Sequence, residues 1–284
     1  MTGSGDGNGS GLRTLPLGDG LSARAGFVVL GAHRLGELVQ RRPAGITGNQ
    51  WSSAIREAYD VVVCAEDGTP RLAVEIGPET PAGQRAERMK NAVAEAVGLP
   101  VLRIGSPTLR AAEHGRAVVA YVIDARTYAD SVAVVEPGED PPVGFRDILG
   151  RLPDGRTGAV NDLGALARAA AVEAYVEGRL VDPILRGLHV HWTDGPAEGW
   201  SWLEVRPGAC LVERVTVREH RFSTGLDTAR FAEDLAALAI GERLRTMDAA
   251  ALVPRDELRA AIRGLAARRS ELATGFAFDH LCAD

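Results

Sequence analysis

The chain has 284 residues, of which 45% are hydrophobic, and its 32 basic and 38 acidic side chains give a net charge of −6. This length is typical of one or two globular domains, and it suffices to build a core without disulfides or a structural metal. The acidic balance argues against a dedicated high-affinity nucleic-acid-binding protein, although it leaves a local basic groove open.

The first twenty residues are rich in glycine and polar side chains, which predicts a disordered tail over residues 1–20. This segment contains no apolar stretch of the kind found in signal peptides. No apolar run in the chain approaches the roughly 18 residues of a membrane span. We therefore expect a soluble cytoplasmic protein with no membrane partner.

The first half of the chain alternates predicted strands and helices, which is typical of an α/β sheet. The Asp67-Gly68 turn joins two apolar runs into a predicted β-hairpin. Gly98 is a helix stop, and Ser106 is an N-cap for the helix that follows. The predicted elements are, in chain order, a strand at Phe27–Leu30, a loop at 42–50, hairpin strands at 58–64 and 71–76, a helix at 82–97, a strand at 100–104 and a helix at 106–129.

A segment with three prolines and three acidic residues follows, and it predicts a linker at residues 136–143. The second half then predicts an alanine-rich helix over 160–178 and a three-stranded β-meander over 188–222. Two amphipathic helices over 228–246 and 255–273 complete it. We accordingly divide the chain into a tail at 1–20, an α/β core at 21–135, the linker, and an α+β region at 144–284.

Two acidic residues occupy informative positions in the hairpin. Asp60 lies near the start of its first strand and Glu75 near the end of its second, so antiparallel pairing brings both to one edge of the sheet. A carboxylate among apolar residues is costly to ionise unless a positive group pairs with it. Mg²⁺ is one such group, because it prefers carboxylate oxygens. An arginine or a cap interaction would satisfy the same acids without a metal.

The stretches AYDVVVCAEDGTPRLAVEIGPE (58–79) and QRAERMKNAVAEAVGLPVLRI (84–104) resemble the restriction-endonuclease-like PD-(D/E)xK superfamily. More narrowly, they resemble an uncharacterised bacterial domain-of-unknown-function family near the very-short-patch-repair endonucleases. The resemblance covers about 27–110, and it implies a mixed sheet with flanking helices. The positions that match the family pattern are Asp60, Glu75, Glu87, Lys90, Asn91, Gly98, Pro100 and Arg103.

The resemblance implies a Mg²⁺-dependent phosphodiesterase in which Asp60 and Glu75 coordinate the ion. The superfamily normally places a lysine two residues after this glutamate, and the narrower family often places an aspartate there. This chain has Gly77 instead, followed by Pro78 where the family has a glycine. The family histidine is also absent, since Thr80 and Pro81 occupy that stretch. These departures concern the chemistry rather than the core.

Lys90 is the only lysine of the chain, and it follows Glu75 on the next predicted helix. It is a candidate to replace the missing catalytic lysine. Alternatively, Glu87 and Lys90 form an exposed i, i+3 surface pair. Two functions therefore stay open at the sequence level. One is a non-catalytic nuclease-fold protein that binds or regulates a nucleic-acid or protein partner, and the other is a Mg²⁺-dependent nuclease that uses Asp60, Glu75 and Lys90.

The meander carries histidines and tryptophans that admit two interpretations. His189 and His191 share one face of a predicted strand and His220 lies on a later strand, so the three form a candidate Zn²⁺ site or ordinary surface histidines. Trp200 and Trp202 share a face that serves either for recognition or for packing on the two C-terminal helices. A protein partner would bind through this second half of the chain.

Overall fold

The structure is a computed structural model, and it describes residues 11–18, 20–133, 144–152, 154–225, 227–246, 252–273 and 277–278. The chain is a mixed α/β protein that divides into two compact units. Unit 1 lies within Met1–Arg103, Ala111–Ala120 and Glu219–Phe222, and unit 2 lies within Ile104–Arg110, Tyr121–Arg218 and Ser223–Asp284. In the described part of the chain, no helix is long and apolar enough to cross a membrane.

The strands of the first half form a sheet around the predicted hairpin. They are β1 (Ser22–Arg24), β2 (Phe27–Leu30), β3 (His33–Arg34), β4 (Ala58–Tyr59), β5 (Val61–Ala65), β6 (Pro70–Gly77) and β7 (Val101–Gly105). The order within the sheet is β1-β2-β5-β6-β7, while β3 and β4 pair separately. β5 and β6 are antiparallel with Val61 opposite Val74, which confirms the hairpin.

The helices of the first half are α1 (Leu35–Leu38), α2 (Gly48–Ala54), α3 (Pro81–Val97) and α4 (Ala111–Val132). The prediction for α3 is confirmed, and Gly98 ends this helix in the left-handed conformation with φ 71°. The predicted loop at 42–50 is wrong at its end, because Thr47 caps α2. The predicted start of α4 is also wrong. Ser106 accepts N–H bonds from Thr108 and Leu109 in a turn before the helix.

Residues on alternate positions of the hairpin face opposite sides of the unit 1 sheet. Val62 and Ala73, which are paired across β5 and β6, belong to one buried cluster with Val93 and Val97 of α3. On the other side, Val61 lies against Gly115 of α4. The unit 1 sheet therefore has a helix on each face, and the face toward α3 carries the even-numbered residues of β5.

The predicted disordered tail is wrong for the part of it that the structure describes. Leu15 is buried in the α3-side cluster, and its N–H donates to the Gly68 carbonyl at 2.9 Å. Leu12 forms a bridge with Val39. The physical reason is that these leucines contribute apolar burial despite their glycine-rich surroundings. Residues 1–10 and the predicted linker at 136–143 lie outside the described residues.

Unit 2 is built on the predicted meander. Its strands are β8 (Leu149–Arg151), β9 (Thr157–Ala159), β10 (Arg186–His191), β11 (Ala197–Arg206), β12 (Ala209–His220), β13 (Val253–Pro254) and β14 (Ala277–Phe278), with the last two residues of β12 assigned to unit 1. Its helices are α5 (Ala165–Val176), α6 (Thr228–Arg245) and α7 (Arg255–Ala267), together with short 3-10 helices at Phe145–Asp147 and Arg269–Glu271. The meander and α6 confirm the predictions. Helices α5 and α7 exist as predicted, but α5 begins at Ala165 rather than at residue 160, and α7 ends at Ala267 rather than at residue 273. The β8–β9 pair was not predicted.

The meander buries side chains on both of its faces. Trp200 and Trp202 pack in one cluster with Leu258 and Ile262 of α7. This contact confirms the prediction that these tryptophans serve in packing on a C-terminal helix. Alternate residues such as Leu203 belong to a second cluster that includes α5 and α6.

Gly199 of β11 permits the close approach of α6 to the meander. A Cβ atom at this position would overlap the backbone of Ala232 and Glu233. We expect Gly199→Ala to lower the free energy of unfolding by more than about 2 kcal/mol, because backbone atoms cannot rotate away as side chains do. Gly264→Ala is the control, since the space around this α7 glycine is open. It should stabilise by about 0.5–1 kcal/mol. Urea denaturation followed by tryptophan fluorescence measures both, and equal effects of the two variants would contradict the close approach.

Candidate functional site

The β5–β6 register brings the two candidate acids together. Val61 of β5 pairs with Val74 of β6. In this antiparallel register, the residue before Val61, Asp60, lies opposite the residue after Val74, Glu75. Cross-strand neighbours point to the same face of a sheet. This is the face that carries Val62 and Ala73, so both carboxylates lie on the α3 side of unit 1.

Two cations contact the Glu75 carboxylate, one at each oxygen. Lys90 Nζ from α3 pairs with Oε1, and Arg103 Nε from β7 lies 2.6 Å from Oε2. The Lys90 and Arg103 side chains are only 6% and 10% exposed, against 23% for Glu75. Strand β6, helix α3 and strand β7 are thus connected through one carboxylate. We call Glu75, Lys90 and Arg103 with their neighbours Asp60 and Glu87 the Glu75 cluster.

Lys90 has three kinds of contact. Besides Glu75, its ammonium group donates to the Ala58 carbonyl at 3.0 Å and lies 4.9 Å from the centre of the Tyr59 ring. Glu87 does not pair with it but lies 3.6 Å from Arg103 Nε. The alternative of an exposed Glu87–Lys90 surface pair is therefore wrong. Lys90 is buried because it compensates the charge of Glu75.

Asp60 has an unfavourable environment for a carboxylate. Burial raises the pKa of Asp60, and the negative charge of Glu75 raises it further. The Ile76 N–H, which donates to Asp60 Oδ2 at 2.8 Å, and the charge of Lys90 act in the opposite direction and lower this pKa. The fully buried Tyr59 shows the same effect, because burial raises the pKa of its hydroxyl.

Several buried polar atoms around the cluster lack a hydrogen-bond partner within the described residues. Glu75 Oε2 and Arg103 Nε are among them although they are in ion-pair contact, so their attraction is electrostatic and lacks hydrogen-bond alignment. The others are Tyr59 Oη, Asn91 Oδ1, Arg103 Nη2 and His220 Nε2. The Arg103 side of the cluster therefore depends on charge, whereas Lys90 and Asp60 also form hydrogen bonds.

The Glu75 cluster does not fit a resident Mg²⁺ in its present pairing. Mg²⁺ requires near-octahedral oxygen ligands at about 2.0–2.1 Å. Both Glu75 oxygens contact a cation, and one oxygen of Asp60 accepts a backbone N–H. Gly77 supplies no ligand. A metal at this place would have to displace Lys90 or Arg103 from Glu75.

The three histidines do not form a metal site among the described residues, since none of them belongs to a group of three metal-ligating side chains. His189 Nδ1 lies 2.6 Å from Glu233 Oε2 of α6. His220 belongs to unit 1, where burial lowers its pKa and the charge of Arg103 lowers it further. The proposed Zn²⁺ ligand set is therefore wrong. A two-residue spacing on a strand specifies a common face but not a common ligand.

Sequence reasoning did not find that Arg103 and Tyr59 belong to the site. Arg103 matches the family pattern, but its ion pair with Glu75 required knowing that β7 lies next to β6. Tyr59 directly precedes Asp60, and that adjacency was the signal available for it. No family model, curated protein or solved structure matches the chain. The PD-(D/E)xK resemblance and its family therefore stay predictions.

The raised pKa of Asp60 predicts that the effect of replacing this residue on the free energy of unfolding depends on pH. A carboxyl whose pKa is higher in the folded than in the unfolded state favours folding when protonated, and this contribution is lost as the pH rises through the folded pKa. Asp60→Asn removes the ionisation and keeps an oxygen for the Ile76 N–H. We expect Asn at this position to stabilise the protein at pH 7 and to have little effect below the ordinary aspartate pKa of 3.8.

Chemical denaturation of both proteins at several pH values measures this difference. The control is Glu66→Gln, which changes an exposed acid of the same hairpin. It should stay within about 0.5 kcal/mol of the wild type throughout. Destabilisation by Asp60→Asn at pH 7 would contradict the assignment, because it would show that the charged form stabilises the fold.

Proposed function

We propose that this chain is a non-catalytic protein that keeps a nuclease-like α/β unit for binding or regulation. In this proposal the Glu75 cluster is a structural ion network. The observation that carries it is the contact of one cation with each oxygen of Glu75, from Lys90 and from Arg103. These cations compensate the partly buried carboxylate as a divalent ion would in a metal centre. A protein partner would then bind through the second half of the chain.

The absence of a side chain at Gly77 also supports this proposal. Alternation along β6 puts position 77 on the same face as Glu75, where the resemblance expects an acid or a lysine. A Cβ atom at Gly77 would have no atom within 4 Å. The cluster thus lacks a third functional group and has room for one.

A Mg²⁺-dependent nuclease is the second candidate. Asp60 and Glu75 share one face of the sheet, and Asp60 is a carboxylate whose ionisation is opposed by burial. Carboxylates kept at such a cost are typical of functional sites. In this alternative Lys90 is the displaced lysine and nucleic acid is the substrate.

Replacing Glu75 separates the two functions. Glu75→Gln leaves Lys90 and Arg103 buried without their counter-charge, so the first proposal expects the free energy of unfolding to fall by about 2–4 kcal/mol. A neutral or stabilising effect would instead show that this carboxylate is kept at a cost to stability, as catalytic groups commonly are, and would favour the nuclease. Thermal and urea unfolding of the metal-free protein measure the difference, and Glu66→Gln is again the control.

Measurements of metal binding and of nucleic-acid cleavage test the two functions further. The first proposal expects no saturable Mg²⁺ or Mn²⁺ binding by calorimetry and no metal-dependent cleavage of DNA or RNA. Saturable binding by the wild type that is lost in both Asp60→Asn and Glu75→Gln would overturn it. That result, together with cleavage, would establish the second candidate.

The open space at Gly77 predicts a gain of function. Gly77→Asp should change the free energy of unfolding by less than about 1 kcal/mol, because nothing is displaced. It adds a third carboxylate on the face of Asp60 and Glu75, which suits a hard divalent ion. We expect saturable Mg²⁺ binding to appear in this variant, because the third carboxylate favours a divalent ion enough to displace Lys90 or Arg103 from one oxygen of Glu75.

The matched control is Gly31→Asp, which adds the same charge at another open position of unit 1. It should not acquire metal binding. Equal Mg²⁺ affinity of the wild type, Gly77→Asp and Gly31→Asp would contradict the idea that position 77 is the missing ligand of the cluster.

A further inference from the structure

A cavity lies in unit 2 between the turn of the β10–β11 hairpin and the chain that follows α7. Its volume of about 660 Å³ is within the range of pockets that bind small ligands. Trp192 supplies an aromatic ring to its lining, and the charged residues of the lining are Asp194, Glu198, Arg268 and Glu271. Three of these four are acidic, so the lining has an excess of negative charge. We call this cavity the Trp192 pocket.

Hydrogen bonds and apolar packing hold the Trp192 ring in place. Trp192 Nε1 donates to Glu198 Oε2 at 2.9 Å, and Trp200 Nε1 donates to the other oxygen of the same carboxylate at 2.6 Å. Trp192 also packs against the apolar cluster that contains Trp200 and residues of α7. The Thr193 N–H donates to the Glu271 carbonyl at 2.9 Å and attaches the hairpin turn to the chain after α7. A ring fixed in this way lowers the cost of ordering the pocket on binding.

A guanidinium group of the chain itself lies on this ring. The guanidinium carbon of Arg268 is 4.1 Å from the centre of the Trp192 ring. Arg268 Nε and Nη2 donate to the two oxygens of Glu271 at 3.0 and 2.6 Å. An aromatic face and a carboxylate that accepts two parallel N–H bonds are the groups that recognise guanidinium in proteins. The pocket therefore already has the chemistry of a guanidinium site.

Arg268 can leave the Trp192 ring at little cost. The side chains of Arg268 and Glu271 are 54% and 53% exposed. Exposed ion pairs contribute little to stability, because water and salt screen them. When Arg268 moves away, the charged lining that remains is entirely acidic, and this favours a cation in its place. The contact of Arg268 with Trp192 thus acts as an internal competitor for the ring.

We propose that the Trp192 pocket binds a guanidinium group from outside the chain, which takes the place of Arg268 on the Trp192 ring. Its plane stacks on the indole, and its N–H groups donate to Glu271. The exposed Asp194 of the hairpin turn adds attraction for the positive charge. The group comes either from an arginine side chain of another protein or from a free guanidinium compound. This proposal is independent of the Glu75 cluster, which belongs to unit 1.

Titration of the full chain with N-acetylargininamide, followed by the NMR signal of the Trp192 indole N–H, tests the pocket. The signal should shift saturably. N-acetylcitrullinamide, which has a neutral urea group of nearly the same shape, should not bind. Arg268→Ala removes the internal competitor and should lower the dissociation constant for N-acetylargininamide at least tenfold, which corresponds to about 1.4 kcal/mol. Arg263→Ala is the control, because it removes an exposed arginine of α7 outside the pocket, and it should leave the affinity unchanged.

Replacement of the ring tests the stacking contact. Trp192→Leu should abolish binding measured by calorimetry, whereas Trp192→Phe should keep part of it because an aromatic face remains. Tighter binding of N-acetylargininamide than of methylguanidinium would identify an arginine side chain as the source, and equal binding would identify a free guanidinium compound. Absence of binding by both the wild type and Arg268→Ala would overturn the proposal. Equal affinity of these two proteins, or equal binding of the citrulline compound, would also overturn it.

Discussion

The ion contacts of Glu75 are the constraint on which the arrangement of unit 1 depends. Its carboxylate lies on β6 and holds Lys90 from α3 and Arg103 from β7. All three side chains are mostly buried, so each needs the others to avoid an uncompensated charge in a medium of low dielectric constant. Secondary structure alone would allow α3 to shift along the sheet. Val93 and Val97 pack α3 on the sheet, and the ion contacts favour the position in which Lys90 reaches Glu75.

The chemistry of these contacts explains why one lysine stands in a chain that otherwise uses arginine. The ammonium group is compact, and it contacts Glu75, the Ala58 carbonyl and the Tyr59 ring from one point. A guanidinium group is a larger planar fork with its donors directed in one plane. Arg103 contacts the other oxygen of Glu75 through Nε, at the inner end of that fork. The two cations therefore have different geometric tasks in the same cluster.

In the proposed non-catalytic function, the ion contacts of Glu75 take the place of a bound metal. A carboxylate pair at the edge of a hairpin has to be compensated, whether by an ion from solution or by side chains of the chain. In that proposal Lys90 and Arg103 supply the positive charge, so position 77 would not have to carry a metal ligand. Burial disfavours the ionised form of Asp60, and the Ile76 N–H and Lys90 offset this effect only in part. This asymmetry between Glu75 and Asp60 distinguishes a structural pair from a symmetric metal site.

The sequence predicted the parts that depend on local patterns and missed those that depend on contacts distant along the chain. Turn chemistry at Gly68 and the helix stop at Gly98 specify the hairpin and α3, so these were predicted. The predicted pairing of Asp60 and Glu75 at one edge follows from hairpin geometry alone. The contact of Arg103 with Glu75 depends on β7 being adjacent to β6, and local pattern does not state which strands are neighbours. The burial of Leu15 escaped prediction for the same reason.

Helix α5 shows that a sequence pattern can predict a helix without predicting which of its faces is buried. An alanine-rich segment predicts a helix, and it did so correctly here. It does not predict which face is buried, because alanine is small enough to pack closely on α6 while larger residues occupy the other side. The exposed face carrying Val172 and Val176 then appears only when burial is known. The outward direction of Val172 and Val176 is thus hidden in the sequence by the same small residues that allow the helix to dock on its neighbour.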